Sequence, residues 1–129
     1  MEPRISIITL GVDDLDRAIA FYRDRLGLLT EGPSDDICFF KLQGAWLSLF
    51  PRNLLAEDGG VEVAHGWGGM TIAHNVRDKE SVDAIIALAE DAGAEITARP
   101  SAREWGGYTG YFRDLDGHLW EVCWNPYFP

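Results

Sequence analysis

Cysteine is scarce in this chain of 129 residues: only Cys38 and Cys123 occur, far apart and in no CxxC or Cys/His spacing. That excludes a disulfide framework and a zinc knuckle, and two isolated thiols fit a reducing compartment. Bases are scarce too, with eleven Lys and Arg against twenty-one Asp and Glu and a formal net charge of −10. A field of that sign repels phosphate backbones and anionic headgroups, which argues against nucleic acid and membrane surfaces as partners. It favours cationic ligands, although surplus carboxylates more commonly serve solubility. No apolar run approaches the roughly 20 residues of a membrane span, and Met1-Glu2-Pro3-Arg4 leads into strand-like sequence without a signal region. The expected location is the cytoplasm.

What is present describes an ordinary globular chain, 47% hydrophobic and 25% charged, of a length suited to one domain. Ile5 to Val12 is rich in β-branched residues and ends at Asp13-Asp14, where a carboxylate can cap a following helix. Leu15, Ala18, Ile19, Tyr22 and Leu26 recur at helical spacing, and Gly27 stops the helix. Then come Leu28 and Leu29, a turn at Gly32-Pro33-Ser34-Asp35, and strands from Cys38 to Leu42 and Trp46 to Phe50. Residues 53–66 hold Asn53, Asp58, Gly59 and Gly60 without a sustained period and read as a linker.

Beyond the linker the pattern recurs. Met70 to Val76 is strand-like, Asp78 can cap, and Val82, Ile85, Ile86 and Ala89 form a helical stripe ending at Gly93. Ala94 to Ala98, Tyr108 to Arg113 and His118 to Trp124 supply three more strands, the last two joined by Asp114-Leu115-Asp116-Gly117. Val12-x-Asp14 matches Val76-x-Asp78, Phe40-Lys41 matches Phe112-Arg113, and Gly44 to Leu49 matches Gly117 to Val122. The chain therefore reads as one α+β domain, 1–129, built from two tandem βαβββ modules, 1–52 and 67–129, around the linker 53–66. Each half alone leaves an apolar sheet face, which predicts packing of the halves or a homodimer.

The stretch from Ile8 to Ala18, followed by Phe21-Tyr22 and Leu26-Gly27, resembles the opening of the vicinal-oxygen-chelate proteins: glyoxalases, bleomycin-resistance proteins and extradiol dioxygenases. Tyr111 to Val122 resembles their closing strand pair. The resemblance implies that each module forms half of an open cup, often completed across a dimer. It also implies that metal-dependent members draw His, Glu or Gln ligands from four inward positions, which fall here on Ile7, Ser48, Thr71 and Glu121. Only Glu121 is a good metal ligand, and a catalytic divalent ion normally takes about three protein ligands plus an open position. No metal and no other cofactor is expected. His74 shares strand parity with Ile72 and Val76, opposite to Thr71 and Asn75, and is expected under the second helix. His65 and His118 read as surface residues.

On the inward parity lie Ile7, Thr9, Trp46, Ser48, Phe50, Thr71, Ala73, Asn75, Leu119, Glu121 and Cys123, an apolar lining with a few polar groups that suits a small-molecule site. Trp105-Gly106-Gly107-Tyr108 is expected as an aromatic rim; Trp46, Phe50 and Tyr108 filling a plain core is the alternative. Trp120, Val122 and Trp124 have the other parity and are expected to pack under a helix. Three readings follow. The first is a metal-free protein binding a cationic or aromatic small molecule. The second is a metal-free lyase or isomerase with Glu121 as catalytic base, and the third a metal-dependent lyase or dioxygenase, which the residues at the ligand positions disfavour.

Overall fold

The structure, a computed structural model, describes residues 1–128. The chain divides into two compact units, Met1–Ala64 and a second from His65 onward. In the first, strand β1 (Ile7–Val12) leads into helix α1 (Leu15–Ile19), which continues as a π-helical segment over Ala20–Arg25. The helix starts where the sequence places its cap: an Asp14 carboxylate oxygen accepts the Arg17 amide at 3.0 Å. Strands β2 (Pro33–Ser34), β3 (Ile37–Phe40) and β4 (Trp46–Pro51) follow, then helix α2 (Arg52–Gly59).

The sheet order is β1-β4-β3-β2, with β1 parallel to β4 and the other pairs antiparallel. Period-two alternation sends Leu10 and Val12, Leu47 and Leu49, and Cys38 and Phe40 to one side. There they bury Ala18, Ile19, Phe21 and Tyr22, with the Tyr22 ring edge-on to Phe21 at 5.0 Å and to Phe40 at 6.1 Å.

Two expectations for this unit need correction. The stretch expected as turn supplies the strand: Pro33 and Ser34 pair with Cys38 and Ile37, whereas Leu28 and Leu29 lie outside any strand. The reversal sits at the end of that stretch, at Asp35, which adopts a left-handed φ of 54° that an Asp tolerates. Likewise, part of the expected linker is helix α2. Its Asp58-Gly59-Gly60, read as loop chemistry, is a helix end, with Gly60 at φ 70° and its amide bonded back to Ala56 and Glu57. Gly11 lets this helix begin close to β1, since a Cβ there would meet the Arg52 backbone at 3.2 Å.

The second unit contains β5 (Ile72–Val76), α3 (Lys79–Asp91), β6 (Glu95–Ala102), β7 (Tyr108–Arg113) and β8 (Leu119–Trp124). Its order, β5-β8-β7-β6 with β5 parallel to β8, repeats that of the first unit. Each unit is thus βαβββ. Asp78 caps α3 through the Ser81 amide at 2.8 Å. The stripe Val82, Ile86 and Ala89 is buried, as are Phe112, Trp120 and Val122 on the sheet, and the rings of Phe112 and Trp120 stack at 6.2 Å. His74 departs from expectation: it is exposed. Its strand is at the sheet edge, and α3 lies over β6, β7 and β8 more than over β5. Among the described residues no helix is long and apolar enough to cross a membrane.

Candidate functional site

Because α1 and α3 each cover one sheet face, the chemistry gathers on the other. In the first unit the β1/β4 register sets Ile7 beside Trp46, Thr9 beside Ser48 and Gly11 beside Phe50, and β3 adds Phe39 opposite Ser48. Ser48 is fully buried, and its hydroxyl is 2.6 Å from that of Thr9, so one donates to the other. A buried hydroxyl and a half-buried one that satisfy each other hold the floor of this face without charge. Trp46 stays 37% exposed, edge-on to Phe39 at 6.1 Å, and both line an open cavity of about 650 Å³.

In the second unit the face turned away from α3 carries Ala73 and Asn75 of β5, Glu121 and Cys123 of β8, and Thr109 and Tyr111 of β7. Tyr111 donates its hydroxyl to a Glu121 carboxylate oxygen at 2.5 Å. That bond, and burial after it, pushes the phenol up to about 12 and keeps it protonated. Burial also raises the Cys123 thiol, and the Glu121 charge adds to it against Thr109 and Arg103, so the sulfur is a thiol at neutral pH. Arg103 reaches this group from the β6–β7 loop, its Nη2 donating to the Thr109 carbonyl at 3.3 Å.

Of the residues singled out from the sequence, Ile7, Thr9, Trp46, Ser48 and Phe50 share one face in the first unit, and Asn75 shares one with Glu121 in the second. Thr71 precedes β5 and is exposed. Tyr108 belongs elsewhere: its hydroxyl donates to Asp83 of α3 at 2.7 Å, and the Lys79 ammonium stands 5.9 Å from its ring centroid. It shares parity with Gly110 and Phe112, so the strand sends it to the helix side. Trp105 folds back on its own loop, where a Cβ on Gly107 would fall 2.0 Å from the indole.

Tyr111 escaped the sequence reading although a signal for it exists. Counting back from the Asp114-to-Gly117 turn pairs Arg113 with Leu119 and hence Tyr111 with Glu121. Arg103 has no such signal, because two register shifts in the β6/β7 pairing decide where its loop starts.

Neither unit by itself offers a donor set that fits a divalent metal. The first unit offers hydrocarbon at Ile7 and, at Ser48, a hydroxyl already bonded to Thr9. The second offers the Thr71 hydroxyl and a single carboxylate, Glu121, one of whose oxygens accepts from Tyr111. Among the described residues no three His, Cys, Asp or Glu side chains cluster.

Residues 4–122 match the Glyoxalase/Bleomycin resistance protein/Dioxygenase superfamily. The chain is 31% identical to the metallothiol transferase FosB of Shouchella clausii over 122 residues, 92% of this chain and 77% of that protein. It is 32% identical to the metallothiol transferase FosB of Staphylococcus epidermidis, covering 92% and 81%. Among solved structures, a glyoxalase-related enzyme from Fulvimarina pelagi superposes with a TM-score of 0.91 at 34% identity, over 98% of this chain and 91% of that one. A lactoylglutathione lyase from Agrobacterium tumefaciens gives 0.75 at 27% identity, over 99% and 98%.

Proposed function

Since this chain belongs to the glyoxalase/bleomycin resistance protein/dioxygenase superfamily, we propose that it binds a small molecule on the sheet faces turned away from α1 and α3, and does so without a resident divalent metal. The observation that carries this reading is the donor set, in which one carboxylate stands where a metal site needs about three ligands. Ile7, Thr9, Trp46, Ser48 and Phe50 form the ligand surface of the first unit, and Thr71, Asn75 and Glu121 that of the second. Trp105, half-exposed before β7 and folded over Gly107, is left as a candidate rim residue of the second surface. The FosB relatives are metallothiol transferases by name, and the reading departs from them at the metal. A homodimer in the cytoplasm suits the unpaired sheet edges and the two buried free thiols.

One observation favours a catalytic version of the same site. A lone carboxylate base lacks a partner acid, and the Tyr111 hydroxyl supplies one at 2.5 Å from Glu121. In that version Glu121 takes a proton from a carbon or heteroatom acid of the ligand while Tyr111 keeps its own proton available for return.

The expected result of elemental analysis is no stoichiometric metal, with a melting temperature unmoved by added nickel, zinc, iron or manganese. About one metal per chain, lost on replacing Glu121 with Gln, would overturn the metal-free reading. Glu121→Gln, whose amide oxygen can still accept from Tyr111, is expected to weaken ligand binding with only a modest loss of stability from the lost charge; unchanged affinity for a bound ligand would remove Glu121 from the site.

A further inference from the structure

The cavity of the first unit has a composition that selects its occupant. Its walls are apolar and aromatic: Leu29, Ile37, Phe39 and Trp46. Its charged side chains are Lys41 and Glu31. The Lys41 ammonium stands 5.4 Å from the centre of the Trp46 ring and 3.6 Å from a Glu31 oxygen. At about 650 Å³ the space suits a compact organic molecule rather than a bare ion. An inorganic anion would leave the aromatic walls wet, whereas a planar ring would cover them.

Charge decides the rest. The electron-rich face of Trp46, which a cationic ligand would seek, already holds a cation, so such a ligand would meet Lys41 as a like charge. An anion instead finds a donor whose present partner is weak. The side chains of Lys41 and Glu31 are 56% and 89% exposed, and ion pairs that open to water hold loosely. The overall charge of −10 opposes anions at long range, but salt screens it beyond a Debye length of about 8 Å at physiological ionic strength. The local ammonium then dominates.

We propose that this cavity binds a small aromatic carboxylate, its ring against Phe39 and Trp46 and its carboxylate on Lys41 in place of Glu31. This rests on the small-molecule reading above and adds the ligand class and Lys41 as the residue that sets it.

Calorimetric titration of the full chain with indole-3-acetate, its neutral amide, tryptamine and inorganic phosphate tests the class. The expected order places indole-3-acetate first, with phosphate showing no binding. Lys41→Met is expected to weaken the acid by about tenfold and leave the amide unchanged, whereas Glu31→Gln, which frees the lysine, tightens the acid about twofold to threefold. Both positions are exposed, so melting temperatures near wild type will show the variants folded. Amide or tryptamine binding as tight as the acid, or acid binding indifferent to Lys41→Met, overturns the aromatic-anion class while leaving small-molecule binding intact. Absence of binding by all four probes overturns the cavity as a ligand site, and the metal and Glu121 experiments then judge the broader reading on their own.

Discussion

The contact between the Tyr111 hydroxyl and Glu121, reinforced by burial, pushes the phenol from its ordinary value of 10.0 up to about 12. A group that holds its proton more tightly when folded contributes stability in full below its unfolded value, and that contribution drains away as pH rises through the folded one. Wild-type protein is therefore expected to lose stability between about pH 10 and 12 more steeply than Tyr111→Phe, as followed by thermal unfolding across that window. A tyrosinate absorbance titration isolates the group, since the wild-type minus variant difference should titrate near 12. A difference centred near 10 would mean that the carboxylate does not hold the phenol.

At the level of elements, the seating of α3 on its sheet depends on the absence of a side chain at Gly110. A Cβ there would lie 3.0 Å from Ile86 Cγ1 on the helix and 3.1 Å from Pro100 Cγ on β6. Ile86 is buried on the stripe that holds the helix down, so it has little room to yield. Gly110→Ala is expected to destabilise the fold by about 1–3 kcal/mol, the usual cost of overpacking, in urea unfolding. A change within experimental scatter would show that Ile86 can change rotamer without loss. Gly117, by contrast, has open space around its Cβ direction but a φ of +91°, so its constraint is the turn and not packing.

For the whole molecule the edges matter most. β1 and β2 end one sheet and β5 and β6 the other, and an unpaired edge invites pairing with a second chain. Exposed Ile5, Ile7, Trp67 and Met70 add apolar surface on and beside β1 and β5. Light scattering at micromolar concentration is expected to give about twice the chain mass of 14.4 kDa. A single-chain mass would refute the dimer and require the edges to be protected by the chain itself.

The amino-acid sequence by itself determined what depends on neighbours along the chain. Asp14 and Asp78 cap the two helices, Gly117 closes the β7–β8 turn, and the two βαβββ patterns sit in register with each other. Strand parity also put Thr9 and Ser48 on one face, although they are 39 residues apart. Only the tertiary structure decided that the Tyr111 hydroxyl would close on the Glu121 carboxylate and that Arg103 would reach the Thr109 carbonyl. Tyr108 and Tyr111 have opposite parity, and the register of β7 against β8 brings Tyr111 to the carboxylate while Tyr108 goes to Asp83. It also decided that Arg52–Gly59 would form a helix, that an edge position would leave His74 in solvent, and that Lys41 would lie over Trp46. Caps and turns are satisfied within a few residues, so their signal is local. Partners across strands depend on register, bulges and the placement of covering helices, which the chain fixes only once it has folded.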